Sequence, residues 1–263
     1  MNPSSEASAT RPKTQAATLE SYLRGIALDA MIRYYQTLPS IARREWPALL
    51  TGMGYNFEFY DGMFALMAAN VQLSMDGTDY RARFRAMQAL LRPFCSEFGI
   101  EPERGLMKSH RELFGEFYRS ATGEAMPERY PRSPLNPWLK ISRRWARVMR
   151  RRLDCAGADG LDRAAFNIGY HWAVEHLSIE EFRLMRQAWE SLGIRAPYLD
   201  AHCEVEEEHA RCAVAAVTAA QHLGGGVGAA IRRAAEAHES DLAGYYAEMT
   251  RFALQRRPPH HPD

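Results

Sequence analysis

The stretch of sequence that decides the fold is YLDAHCEVEEEHARCAVAAV, residues 198–217. Apolar and charged residues recur along it with a helical period, which predicts an amphipathic helix. At about 100° per residue, His202, Glu206 and His209 fall on the same side of this helix as most of its small apolar residues. The opposite side is strongly charged. Two imidazoles and one carboxylate are therefore predicted to face the protein interior.

A carboxylate in that position needs a partner. Burying Glu206 alone would cost several kcal/mol, so it requires a cation or hydrogen-bond donors. A divalent metal binds carboxylate and imidazole together, and the spacing of His202, Glu206 and His209 suits one ion. The alternative is a buried polar network in which the histidines donate to Glu206 and no metal binds. This helix alone does not decide between the two.

A second predicted helix, 161–177, also carries a carboxylate on its apolar stripe. Glu175 lies on that stripe, and His171 lies one turn before it. His171 is either a further ligand, a hydrogen-bond donor to the ligands, or a histidine packed in the core. A carboxylate again faces the interior.

A third predicted helix, 101–121, places His110 among apolar residues. Glu103 lies two helical turns earlier on the same line. Glu97, at the end of the preceding helix, is a second carboxylate from this region. Three helices that each turn polar groups inward indicate a common centre.

Helical periodicity recurs along the rest of the chain and strand-like alternation is almost absent, which predicts an all-α fold. Glycine and proline separate the predicted helices. These helices span 17–37, 53–73, 79–98, 101–121, 135–154, 161–177, 179–192, 196–222 and 227–255. We expect one helical domain over residues 17–256, between flexible tails at 1–16 and 257–263.

Composition narrows the classes of function. The chain has 263 residues, of which 46% are hydrophobic, and a formal net charge of +1 that gives no reason to expect a nucleic-acid partner. It contains no apolar run long enough to cross a membrane, and its first residues lack the apolar segment of a secretory signal. The four cysteines form no CxxC pair, so we expect reduced thiols and a cytoplasmic location.

These motifs resemble those of the heme-oxygenase-like diiron oxidases, which are related in fold to heme oxygenase and thiaminase. The third core helix of that family carries H-x3-D-x2-H, which His202, Glu206 and His209 match with Glu in place of Asp. A carboxylate on the helix before is matched by Glu175 in IGYHWAVEHLSIEEF. The resemblance covers residues 40–222 and implies a heme-oxygenase-like bundle of about seven core helices.

The family's other half-site is similar to SEFGIEPERGLMKSHRELF. His110 matches its histidine, and both Glu97 and Glu103 are candidates for its glutamate. Some members add a carboxylate from the first helix of the site. Asp61 and Glu58, in NFEFYDGMFALMAANV, are the candidates for that role here.

The resemblance implies a centre of two ferrous ions that reduces O2 as co-substrate. The implied ligands are His110, Glu175, His202, Glu206, His209 and either Glu97 or Glu103. Members of the family oxidise amino acids or fatty acids by N-oxygenation, desaturation, decarboxylation or oxidative C–C cleavage. We therefore expect an amino-acid-like or carboxylate-bearing substrate from specialised metabolite biosynthesis, with an arginine of the 131–152 region binding its carboxylate. The residues that act directly on the substrate stay unassigned.

Two other classes of function stay open. One is a metal-free enzyme on the same fold, thiaminase-like or cofactor-dependent, with the inward residues as general acid and base. The other is a non-catalytic helical binding protein. Heme is not expected, because the family's heme-binding relatives use a histidine on the first helix and residues 17–37 contain none. For partners we expect a small molecule and neither nucleic acid nor membrane, and we leave open a homodimer and a carrier protein.

Overall fold

A computed structural model describes residues 18–101, 105–132, 135–155, 158–195 and 197–256. Residues 18–20 are helical. The longer helices are α1 (Ile26–Thr37), α2 (Trp46–Leu73), α3 (Tyr80–Glu97), α4 (His110–Thr122), α5 (Pro137–Asp154), α6 (Gly160–Ser191), α7 (Pro197–Ala220) and α8 (Val227–Gln255). Single 3₁₀ turns, Leu38–Ser40 and Arg43–Glu45, join α1 to α2. The predicted helical architecture is confirmed. The tails predicted at 1–16 and 257–263 lie outside the described residues.

A short antiparallel ribbon stands where the sequence predicted the start of a helix over 101–121. Its strands are β1 (Ile100–Glu101) and β2 (Gly105–Leu106). At Gly99, with φ +70°, a Cβ atom would lie 2.4 Å from the carbonyl oxygen of Met107, so only glycine allows the chain to fold back there. The prediction of one continuous helix from residue 101 is wrong.

Helix α4 begins instead at His110, because a capping box precedes it. The hydroxyl of Ser109 accepts from the backbone N–H of Glu112, and the Glu112 carboxylate accepts from the backbone N–H of Ser109. Both bonds satisfy donors that a helix N-terminus leaves unpaired. The Ser-x-x-Glu signal was present in the sequence.

Helix α6 replaces two predicted helices, 161–177 and 179–192. Ser178 lies in the middle of α6, so the predicted break between these two helices is wrong. Its hydroxyl lies 2.9 Å from the carbonyl oxygen of Glu175 in the preceding turn. A serine side chain can lie against the preceding turn within a helix, and it then does not end the helix.

Helix α1 starts later than predicted. The chain leaves its helical turn after residue 20, and Gly25 has φ 79°. The buried carboxylate of Glu239 accepts from the backbone N–H groups of Arg24 and Ile26, at 2.9 and 3.0 Å. This long-range cap fixes the start of the helix, and no local pattern in residues 17–37 reveals it.

The described helices pack around α6, which contacts α2, α7 and α8. The approach of α6 to α8 is close, because a Cβ atom on Gly169 would lie 2.6 Å from the Cα of Ile231. Helix α3 packs on α7, and α4 contacts α2 and α7. Polar residues of α3, α4, α6 and α7 can therefore meet at one centre. None of the described helices combines the length and the low polarity needed to cross a membrane.

Candidate metal centre

Six side chains from α3, α4, α6 and α7 meet in two groups of three. The first group is Glu97, His110 and His202, and the second is Glu175, Glu206 and His209. Within each group, one possible ligand atom per residue lies within 4.8 Å of the others. Carboxylate oxygens and imidazole nitrogens at such separations can contact one shared metal ion.

The first group is held together by direct contacts. A carboxylate oxygen of Glu97 lies 2.7 Å from Nδ1 of His110. The rings of His110 and His202 are 4.2 Å apart. Nδ1 of His202 lies 2.9 Å from the carbonyl oxygen of Tyr198. Because a carbonyl only accepts, Nδ1 of His202 carries the hydrogen and Nε2 keeps its lone pair, as a metal ligand requires.

The electrostatics of His202 agree with that tautomer. Burial, and then the charge that His110 can carry, hold the pKa of His202 well below its usual range. The ring is therefore neutral at physiological pH. Phe182 stacks on it with ring centroids 4.0 Å apart. A neutral imidazole packed against aromatic rings is oriented for binding and needs no proton loss to bind a metal.

The second group is almost completely buried. Its three residues are each 4% exposed. The hydroxyl of Ser178 donates to a carboxylate oxygen of Glu206, and Nδ1 of His209 lies 3.7 Å from Glu175. Burial raises the pKa of Glu175 and of Glu206, and the charge of Glu206 raises that of Glu175 further. Two carboxylates in one dry site require a cation if both are to be ionised.

His171 lies beside this second group. Its Nδ1 is 3.4 Å from a carboxylate oxygen of Glu175, and its ring packs edge-on against Phe64. Neither ring nitrogen has a hydrogen-bond partner among the described residues. Burial, and then His209, lower the pKa of His171 to about 3, so it is neutral. Its position is that of a residue next to the ligands, and its predicted role as a donor to them stays a prediction.

The two candidate glutamates of the first group differ in placement. Glu97 contacts His110, as described above. Glu103 lies outside the described residues. The helical spacing that placed Glu103 beside His110 does not exist, because α4 begins only at His110. The geometry of the described residues therefore favours Glu97.

The two candidate carboxylates on α2 differ as well. Glu58 accepts from Nε of Arg111 and from the hydroxyl of Tyr130, each at 2.9 Å. Asp61 has the environment of a site residue, because burial raises its pKa to about 7, with smaller effects from Glu97 and His110. The charge of Glu58 is thus already neutralised by Arg111. Asp61, by contrast, interacts electrostatically with Glu97 and His110 of the first group.

A cavity of about 100 Å³ opens beside both groups. Arg111 is the arginine that lines it among the described residues, and none of the described arginines from 131–152 does so. Arg144 and Arg152 pair instead with Glu248 and Asp241 of α8. The expectation that an arginine of that region reaches the substrate is therefore wrong.

One glutamate and one histidine of the cavity were not predicted from the sequence. Glu181, on α6, and His238, on α8, both line it. Glu181 lies six residues after Glu175, about 120° away around α6, so helical spacing does not place it with Glu175. His238 shares a stripe of α8 with Leu242, a relation that could have drawn attention to it, but neither residue belongs to a recognisable motif.

A family model described as "iron-containing redox enzyme" matches residues 56–239, well over half of the chain. All six side chains of the two groups fall within the match. The chain belongs to this family of iron-containing redox enzymes, which confirms the resemblance drawn from the motifs.

Two crystal structures of a CADD-like protein of unknown function from Nostoc punctiforme PCC 73102, at 2.00 and 1.35 Å resolution, share the fold. Both are 15% identical to this chain, with TM-scores of 0.68 and 0.67. The matches cover 94% and 95% of this chain and 100% and 99% of theirs. This likeness shows the fold alone. No curated protein matches the sequence.

Proposed function

We propose that the protein is a non-heme diiron oxidoreductase that uses O2 to oxidise a small molecule. The observation that carries the proposal is the pairing of two Glu/His groups around one cavity. Each group would hold one ferrous ion, with Glu97, His110 and His202 as one ligand set. Glu175, Glu206 and His209 would form the other.

The side chains present fit two divalent cations. Three carboxylates with three imidazoles are the ligand types that iron takes in helical carboxylate proteins. Without cations, Glu175 and Glu206 would bear either unfavourable charges or protons, since burial raises the pKa of both. A metal-free polar network explains less well why carboxylates are placed beside one another in a dry site. Glu206, where the family has Asp, still has its oxygen oriented by Ser178.

The neighbouring residues would prepare these ligands. The carbonyl of Tyr198 orients His202, and Ser178 orients Glu206. His171 would act as a positioning residue that donates to Glu175. When bound, the two ferrous ions would supply the electrons that reduce O2. The aromatic rings around His202 exclude water, which keeps the electrostatic interactions within the centre strong.

The cavity limits the substrate to a small molecule. An amino-acid-like or carboxylate-bearing compound is consistent with its size and with its mixture of aromatic and charged residues. N-oxygenation, desaturation and oxidative C–C cleavage, the reactions implied by the resemblance, all remove electrons from such a compound. We place the reaction in specialised metabolite biosynthesis on the same ground.

The proposal is tested by O2 uptake with a chemical reductant, comparing chelator-treated protein with protein reloaded with ferrous iron. We expect iron-dependent uptake that is lost in Glu175→Ala. The matched control is Glu180→Ala on the same helix, because the Glu180 side chain is 38% exposed and forms an ion pair with Arg183. Uptake that is the same with and without iron, or equally reduced by both substitutions, would contradict a diiron centre and favour the metal-free alternatives.

A further inference from the structure

One wall of the cavity contributes no residue to the two metal-ligand groups. It is built by α5, α8 and the later part of α6. The residues that line it are Trp145, Met149, Glu181, His238 and Leu242. The wall is largely apolar and contains two polar groups, the carboxylate of Glu181 and the imidazole of His238. Neither group has a role in the proposed metal centre.

The carboxylate of Glu181 has a neutral neighbour and no cation. The hydroxyl of Tyr246 donates to one of its oxygens, and the hydroxyl of Tyr35 lies 3.2 Å from that of Tyr246. Among the described residues, no arginine, lysine or histidine forms an ion pair with Glu181. Burial raises its pKa to about 7, which the bond from Tyr246 opposes only in part. A cationic group in the cavity would stabilise its ionised form.

His238 is 2% exposed, and neither of its ring nitrogens has a hydrogen-bond partner among the described residues. Its ring packs edge-on against Tyr170, with centroids 4.7 Å apart, and lies 6.0 Å from Trp145. Burial lowers its pKa to about 3, so the ring is neutral. A buried polar group without a partner is costly, which indicates that a molecule in the cavity supplies the missing hydrogen bond.

The charged residues around the cavity indicate the sign of the charge on that molecule. Six acidic residues line it: Glu58, Asp61, Glu97, Glu175, Glu181 and Glu206. Arg111 neutralises Glu58. Two ferrous ions would favour the ionised form of Asp61 as well as those of the three proposed carboxylate ligands, and these four negative charges would equal the four positive charges of the ions. Glu181 is the acid that remains uncompensated.

We propose that Glu181 and His238 bind the ammonium group of an amine substrate. The ammonium donates to the carboxylate of Glu181 and to the neutral ring of His238, while the carbon chain packs against Trp145, Met149 and Leu242. This inference rests on the proposed function, because the charge count assumes two ferrous ions. Glu181 lies six residues beyond Glu175, a rise of about 9 Å along α6, so the ammonium is anchored apart from the metal ligands.

The test uses three probes of equal chain length, n-propylamine, 1-propanol and propanoate, titrated into the anaerobic iron-loaded protein by ligand-observed NMR. We expect the amine to bind at least tenfold more tightly than either the alcohol or propanoate. Glu181→Gln should lower the affinity for the amine at least tenfold and leave that for the alcohol unchanged. His238→Phe, which keeps the aromatic packing, should weaken amine binding severalfold.

Glu180→Gln is the control, since it removes a partly exposed charge from the adjacent position, outside the lining of the cavity. The comparison of the three probes on the unaltered protein needs no variant and is unaffected by misfolding of one. Equal affinities for amine and alcohol, or an amine affinity unchanged by Glu181→Gln, would overturn the inference. Iron content measured on the same samples separates the two proposals. Protein that binds about two ferrous ions but does not select the amine would overturn the amine site alone. Protein that cannot be loaded with iron would contradict the diiron function, whatever its affinity for the amine.

Discussion

Ser178 should control iron affinity although it is not itself a proposed ligand. Its hydroxyl donates to the buried carboxylate of Glu206. Hydrogen bonds to charged groups contribute about 1.5–3 kcal/mol, and a tenfold change in affinity corresponds to about 1.4 kcal/mol. Ser178→Ala should therefore weaken ferrous iron binding by about 10- to 100-fold, the range seen when partners of metal ligands are removed. Competition with a coloured chelator under anaerobic conditions measures the change.

Ser191→Ala provides the matched control on the same helix. The Ser191 hydroxyl donates to the carbonyl oxygen of Ala188, at 2.7 Å. The Ser178 hydroxyl likewise lies next to the carbonyl oxygen of the residue three positions before it, Glu175. Both substitutions remove a serine next to a carbonyl three residues back, but only Ser178→Ala removes a donor from Glu206. If iron affinity is unchanged in Ser178→Ala, or lowered equally in both variants, Ser178 does not support iron binding through Glu206.

Three further predictions follow from the same geometry. His209→Ala should lose one of the two ferrous ions while circular dichroism shows unchanged helix content; full iron retention would exclude His209 as a ligand. Glu97→Gln should lower iron affinity and Glu103→Gln should not, as chelator competition will show. Because burial raises the pKa of Glu206, Glu206→Gln should raise the melting temperature of iron-free protein at pH 8. The substitution should have little effect near pH 4, where the wild-type side chain is mostly protonated in both the folded and the unfolded protein.

The sign of the last prediction follows from linkage. When the pKa of a carboxyl group is higher in the folded than in the unfolded protein, ionising the group costs more in the folded protein. The free energy of unfolding therefore falls as the pH rises from the unfolded pKa to the folded pKa. Glutamine does not titrate, and the gain from Glu206→Gln therefore develops only above the ordinary pKa of glutamate, about 4.3. The buried neutral histidines affect both proteins equally and cancel in the difference. An equal melting temperature at pH 8 would contradict the raised pKa.

Periodicity was enough to predict where helices run, but not where several of them begin. The start of α4 depends on a local capping box at Ser109 and Glu112, a signal that helical spacing from residue 101 obscured. The start of α1 depends on Glu239, more than two hundred residues away in sequence. Continuity of α6 through Ser178 depends on packing rather than on capping propensity. Side-chain bonds to the backbone decided where α1 and α4 begin, and packing decided the continuity of α6.

Some features of the candidate site could be predicted from the sequence, and others could not. The shared face of His202, Glu206 and His209 follows from the geometry of one helix, so the sequence alone predicted it. The contact of Glu97 with His110 depends on the ribbon that folds the chain back after α3, which no periodicity indicates. Glu181 and His238 face the cavity only because of the way α6 and α8 pack. Relations within a helix were predictable, and relations between helices needed the structure.

The most direct test of the central claim is the number of ferrous ions that the protein binds under anaerobic conditions, measured by titration with chelator-buffered iron. We predict about two per chain, as in other helical carboxylate proteins with two metal ions. We further predict that alanine at either His202 or His209 lowers this number to about one, since each belongs to a different group of ligands. Binding of no iron, or two ions retained in both variants, would contradict a diiron centre built from these residues.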